Sequence, residues 1–136
     1  MHKLKIDPDL CKKFNMKLVY LFGSHAKGAS AEGSDLDIAV LFKKNPVDTL
    51  ALKETSLFTL ELNKSFSSKF DIISLNDAPI LLKYEVVAHG QPLYCENETE
   101  RISFEVSVIK EYIDEEPIRN LYNRALHKRI IQGTQI

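Results

Sequence analysis

Leu18-Val19-Tyr20-Leu21-Phe22-Gly23-Ser24, ten residues of small and polar character, then Asp35-Leu36-Asp37-Ile38-Ala39-Val40-Leu41-Phe42: this stretch decides the fold. A short continuous apolar run closed by glycine is the pattern of a strand covered on both faces, so Leu18 to Phe22 reads as a buried strand. Gly23 lets the backbone turn sharply and approach a ligand closely. Ser24-His25-Ala26-Lys27 can then open a short helix whose free N–H groups point back at the turn. Backbone donors and the positive end of a helix dipole make such a turn an anion site, suited to phosphate. Asp35 and Asp37 are two apart in a second strand, so both carboxylates project from one face while Leu36 and Ile38 point to the other. Two acids that close repel unless something positive lies between them. A hard divalent cation with oxygen ligands, Mg²⁺ ahead of Zn²⁺, fits that need.

Glycine-serine, ten residues, then Asp-x-Asp resembles the signature of the minimal nucleotidyltransferases, relatives of the DNA polymerase β superfamily. It is most similar to the small MNT-type proteins encoded beside HEPN-domain toxins. Four fixed residues at fixed spacing arise by composition in roughly one of several hundred chains this long. The resemblance covers most of the chain, because the short length, the later Phe70-Asp71-Ile72-Ile73 segment and a long C-terminal helical segment also match that group.

The resemblance implies a minimal nucleotidyltransferase fold of the α/β (α+β) class, a small mixed β-sheet flanked by helices, with the Gly-Ser turn and three carboxylates gathered at one edge. It implies that Asp35 and Asp37 bind two Mg²⁺ ions, with Asp71 as third carboxylate, metal ligand and base for the acceptor hydroxyl. It implies that Gly23 and Ser24 hold the β- and γ-phosphates of ATP, with His25 and Lys27 nearby. Here the chain departs from its relatives. Many carry arginine directly after Gly-Ser, where this sequence has His25, with Lys27 two residues later. A histidine is mostly neutral near pH 7, so its phosphate contact is weaker and pH-dependent. The reaction implied is attack of an acceptor hydroxyl on the α-phosphate of ATP, leaving AMP on the acceptor. Larger relatives attach further domains that bind the acceptor, and this short chain has no room for one. The acceptor is therefore expected on another molecule, and the resemblance points to a HEPN-type ribonuclease toxin whose tyrosine is adenylylated and silenced. Two rivals from other classes are an antitoxin that acts by binding alone and a transferase that modifies a small molecule. Plainer readings exist for each part: exposed strand-end acids for Asp35, Asp37 and Asp71, a serine-capped turn for Gly23-Ser24, and a surface lysine for Lys27.

Composition is that of one ordinary globular domain, residues 1–136. A chain of 136 residues buries about two-thirds of its unfolded surface, enough for one core. Lys+Arg number 18 against Asp+Glu 19, so no basic balance points to direct nucleic-acid binding. Cys11 and Cys95 lie far apart without a CxxC or Cys/His cluster, which argues against a zinc site or a disulfide framework. No apolar run approaches the eighteen or so residues of a membrane span, and no signal-like segment follows Met1, so no membrane partner and a cytoplasmic location are expected.

Around the signature, a short helix is expected before residue 16, starting at Asp7 or Pro8 with Leu10 and Phe14 inward. Lys43-Lys44-Asn45-Pro46 stops the second strand, and Asp48 or Thr49 can cap a helix reaching about Phe66, with Phe58, Leu62 and Phe66 as its inner stripe. Phe70 to Leu75 reads as a third strand. Asn76-Asp77-Ala78-Pro79 starts a helix with proline in its first turn, and Gly90 closes it. Pro92 to Cys95 can add an edge strand. From Thr99 a helix carries Ile102, Val106, Ile109 and Ile113 at i, i+4, i+7 and i+11, until Pro117 breaks or kinks it. Glu96 to Glu116 holds eight carboxylates and two bases, whereas Pro117 to Ile136 holds no acid and carries Arg119, Arg124, Lys128 and Arg129. That asymmetry, over helices at about 98–131, points either to a partner-docking surface or to a solvated helix packed on its own domain.

Overall fold

A computed structural model of the chain describes residues 6–23, 36–43, 56–62 and 70–131. Asp7 accepts a hydrogen bond from the Asp9 N–H and caps α1 (Pro8–Lys13), with Pro8 at the first helical position. Asn15 then takes φ 55°, a left-handed conformation that asparagine tolerates better than most residues, and swings the chain into β1 (Met16–Phe22). The expected strands and edge strand follow as β2 (Leu36–Phe42), β3 (Phe70–Ser74) and β4 (Gln91–Cys95). Between β2 and β3 lies α2, helical over 56–62; the cap at Asp48 or Thr49 and the inner Phe66 fall outside the described residues.

The sheet runs β3-β2-β1-β4, with β1 antiparallel to both neighbours and β2 parallel to β3. Its two faces carry separate cores. Val19, Leu21, Leu36, Ile38 and Val40 join Cys11 and Phe14 of the α1 segment and Phe58 and Leu62 of α2 on one face. Leu18, Tyr20 and Ala39 join Leu75 and Val86 on the other. Strict alternation would put Met16 with Leu18, yet it packs with Val19 and Leu21, because the β1–β2 register slips between Met16 and Leu18. The Phe14 and Phe58 rings meet edge to face at 5.6 Å, locking α1 to α2.

The Asn76 side chain extends the sheet hydrogen bonding past the end of β3. Its Oδ1 accepts from the Phe42 N–H at 2.9 Å and its Nδ2 donates to the Phe42 carbonyl at 3.3 Å. Proline does not enter the first turn of α3 (Ile80–His89) as expected; Pro79 is the N-cap residue, with extended φ −62° and ψ 155° and no side-chain cap. Gly90 does close that helix, but at φ −77° rather than in the left-handed region. Its need for glycine is space, since an added Cβ would meet the Val86 carbonyl and come within 3.2 Å of the Leu21 carbonyl.

Asn97 caps α4 (Glu98–Asp114) by accepting from the Glu100 N–H at 3.1 Å. Glu115 alone separates it from α5 (Glu116–Ile131), the break expected from Pro117, whose ring nitrogen cannot donate to the Ile113 carbonyl. The face of α4 turned to the sheet is Phe104, Glu105 and Val108. The stripe Ile102, Val106, Ile109 and Ile113 is exposed. Of the two sequence readings of the C-terminal segment, a helix packed on its own domain describes one face of α4 only, and α5 buries no residue.

Candidate functional site

Three strands deliver three residues to one end of the sheet. β1 ends at Phe22, which pairs with Asp37 of β2, and Asp37 pairs on its other side with Asp71 of β3. Neighbouring strands lie about 4.8 Å apart, so two carboxylates at matched positions on the same face are close neighbours. That face is set by alternation: Leu36 and Ile38 both enter the α1/α2 core, which turns Asp37 to the opposite side. Asp37 is half-buried and Asp71 exposed, so the pair sits where the sheet meets solvent.

Gly23 follows directly at φ +78°, a conformation that L side chains rarely adopt. Space is as restrictive as the torsion. A Cβ at this position would run into Asp37 Oδ2 and sit 3.3 Å from Asp37 Cγ. The glycine therefore both turns the chain and leaves room for the Asp37 carboxylate against the turn. Pairing between strands, not the sequence spacing, exposes this second role.

Of the residues read from sequence as candidates, Gly23, Asp37 and Asp71 are brought together. Ser24, His25, Lys27 and Asp35 lie outside the described residues. Among the described residues no cluster of three or more histidine, cysteine or acidic side chains forms a metal site. Asp37 and Asp71 nonetheless offer the hard oxygen donors a divalent cation prefers.

Behind the site, polar contacts tie α4 to β1. The Tyr20 hydroxyl donates to Glu105 Oε2 at 2.7 Å, and Arg101 Nη1 donates to the same oxygen at 2.9 Å. Arg101 also grips Glu98 Oε2 through Nε and Nη2, at 3.0 and 2.6 Å. Burial, and then the bond to Glu105, push the Tyr20 hydroxyl well above the usual tyrosine range, while the Arg101 bond holds Glu98 below the usual carboxylate range. Tyr20 and Glu105 are 85 residues apart, and no local pattern pairs them. Cys11, buried, and Cys95, half-buried, are free thiols. Among the described residues no helix is long and apolar enough to cross a membrane.

Comparison with known proteins identifies the family of the chain. The family model described as polymerase beta, nucleotidyltransferase matches residues 5–99. Protein adenylyltransferase MntA of Shewanella oneidensis (strain MR-1) is 32% identical over 97 residues, and the match spans 71% of this chain but just 66% of that relative. Among solved structures, a toxin–antitoxin complex with AMP-PNP aligns with a TM-score of 0.71 and 23% identity over 90% of this chain and 99% of that one. A tri-AMPylated Shewanella oneidensis HEPN toxin in complex with its MNT antitoxin aligns with a TM-score of 0.68 and 23% identity, over 88% and 91% of the two chains. At such identities the structural likeness is one of fold. With the family model covering well over half the chain and β1, β2 and β3 setting Gly23, Asp37 and Asp71 at one sheet end, this chain belongs to the polymerase β-type nucleotidyltransferases.

Proposed function

We propose that this chain is an antitoxin that transfers AMP from ATP to a hydroxyl, preferentially a tyrosine, of a HEPN-type ribonuclease toxin and so neutralises it. The observation that carries the reading is the register of Asp37 opposite Asp71, beside the left-handed Gly23. The resemblance to an adenylyltransferase and to antitoxin structures supplies the acceptor class.

In this reading the Gly23-Ser24 turn binds the β- and γ-phosphates through backbone N–H groups and the serine hydroxyl, and His25 and Lys27 add charge there. Asp71, exposed at its strand, accepts the proton of the incoming hydroxyl. Asp35, Asp37 and Asp71 would hold Mg²⁺, which when bound neutralises triphosphate charge and favours ionisation of the attacking hydroxyl. Without a cation the adjacent carboxylates repel each other, so the site is built to be completed by one. Catalysis rests on positioning and on charge stabilisation of the transferring phosphoryl group.

The test is the intact mass of the neighbouring gene's product after incubation with this protein, ATP and Mg²⁺, alongside an Asp35→Asn/Asp37→Asn control. One or more added AMP masses, absent from the control, are expected. An unmodified toxin held in a tight, neutralised complex would overturn the enzymatic reading in favour of binding alone.

A further inference from the structure

We infer that His89, the last residue of α3, is a further nucleotide-positioning residue, donating a hydrogen bond to a phosphate oxygen of ATP held at the Asp37–Asp71 end of the sheet. This role rests on the transferase reading, to which it adds a residue outside the Gly-Ser and Asp-x-Asp signature. α3 lies on the same sheet face as the two carboxylates. Its Val86 packs with Ala39 of β2, and Ile73 of β3 joins the same core. Asp37 and Asp71 stand two residues before Ala39 and Ile73, so alternation puts them on this face, about 7 Å nearer the Gly23 end of the sheet. α3 runs toward that end, because β4 starts directly after Gly90 with Gln91 paired to Leu21. His89 is three residues beyond Val86, about 4.5 Å further along and about 60° around the helix. It therefore comes level with Asp37 while still leaning over the sheet.

Two contacts fix this placement. A Cβ on Gly90 would come within 3.2 Å of the Leu21 carbonyl, so the end of α3 presses on β1 one residue before Phe22, the partner of Asp37. Tyr84 stacks on Tyr112 and the Tyr20 hydroxyl bonds to Glu105, so α4 lies beside α3 on the β1 side. Glu85 and His89 share the other flank of α3, toward β2 and β3. The chemistry suits a phosphate. Nε2 of His89 stands 4.0 Å from Glu85 Oε2, too far for a hydrogen bond, so Glu85 steers the ring without committing its N–H. The two carboxylates and the last carbonyls of α3 make this end of the sheet negative. An imidazole carries an N–H donor in either protonation state, which is what a phosphate oxygen needs there.

Calorimetric titration of AMP-PNP with Mg²⁺ into the full chain, beside the ATP dependence of AMP transfer to the neighbouring gene's product, tests the role. His89→Ala should weaken AMP-PNP binding by about tenfold or more, and should raise the KM for ATP by more than it lowers kcat. Far-UV circular dichroism should not change, because the side chain is 53% exposed. His89→Gln keeps an N–H donor and should recover part of the lost affinity. Binding of AMP-PNP requires no transfer, so the two readings fail separately. A wild-type chain that binds AMP-PNP but transfers no AMP would sink the transferase reading, and the binding comparison would still decide the part of His89. A His89→Ala chain that binds AMP-PNP as tightly as the wild type, or that raises only the KM of the acceptor, would overturn it.

Discussion

Asp37 of β2 and Asp71 of β3 stand side by side in parallel register, at the end of a sheet whose buried positions, among the described residues, are all apolar. Like charges directly opposite on neighbouring strands destabilise a sheet. In the proposed function, a cation held by the two carboxylates would offset that repulsion.

Mg²⁺ should accordingly raise the melting temperature of the wild-type protein. A ligand present at a hundred times its Kd stabilises by about 2.7 kcal/mol. Asp37→Asn and Asp71→Asn should each abolish that rise, leave the metal-free melting temperature unchanged or slightly higher, and lower AMP transfer by about a hundred- to a thousandfold. Chelation of the metal should stop transfer by the wild type. Calorimetric melting with and without Mg²⁺, beside a mass-based transfer assay, reads all of these outcomes.

Gly23→Ala should be destabilising for two separable reasons. The left-handed φ of +78° costs about 1 kcal/mol or more for a residue with a Cβ, and that Cβ also collides with the Asp37 carboxylate. In an Asp37→Ala background the collision disappears and the torsional cost stays. Urea denaturation of the four proteins should return a coupling energy of about 0.5–3 kcal/mol between the two positions. Strict additivity would mean that the alanine is accommodated without moving Asp37.

The signature made β1, the Gly23 turn and β2 legible, because glycine, alternation and a run of apolar residues each carry a local physical meaning. Asp71 was legible only through resemblance, since one acid ahead of Ile72-Ile73 has no local signature of its own. What the sequence could not reveal depended on contacts between distant segments. The collision between a Gly23 Cβ and Asp37 needs the β1–β2 pairing. The Tyr20–Glu105 bond needs α4 laid across the sheet, and the exposed side of the Ile102–Ile113 stripe needs knowledge of which helix face the sheet already occupies. Periodicity identified an apolar stripe but not what covers it.

Cys11 predicts a pH dependence. Fully buried on the α1/α2 face, its thiol is pushed from 9.0 up to about 12, by burial first and by Asp7 second. In the unfolded chain the thiol ionises near its ordinary value, while in the folded chain it keeps its proton. The stability is intact below about pH 9 and is lost as pH rises toward 12, by at most about 1.4 kcal/mol per pH unit. Tyr20, also raised, adds to the fall above about pH 10. Cys11→Ala should be less stable at neutral pH, through the cavity it leaves, but should show a shallower alkaline decline. Denaturant midpoints of both proteins from pH 8 upward check it, and equal slopes would sink the assignment to Cys11.

Arg119 predicts how α5 is held. Its guanidinium lies 3.7 Å above the Tyr112 ring, and Tyr112 in turn stacks on Tyr84 at 3.7 Å with 7° between the planes. One residue from each of α5, α4 and α3 thus forms a single column, while no residue of α5 is buried. A cation over an aromatic face contributes about 0.5–2 kcal/mol, and isolated helices of this length are marginal in water. Arg119→Ala should therefore leave the β-sheet core as stable as before and selectively raise amide hydrogen exchange across α5. Arg119→Lys keeps the charge but loses the flat stacking surface, so it should recover the protection only in part. Should exchange in α5 remain slow in Arg119→Ala, the helix must be held by its apolar side chains, and the column would be incidental to its order.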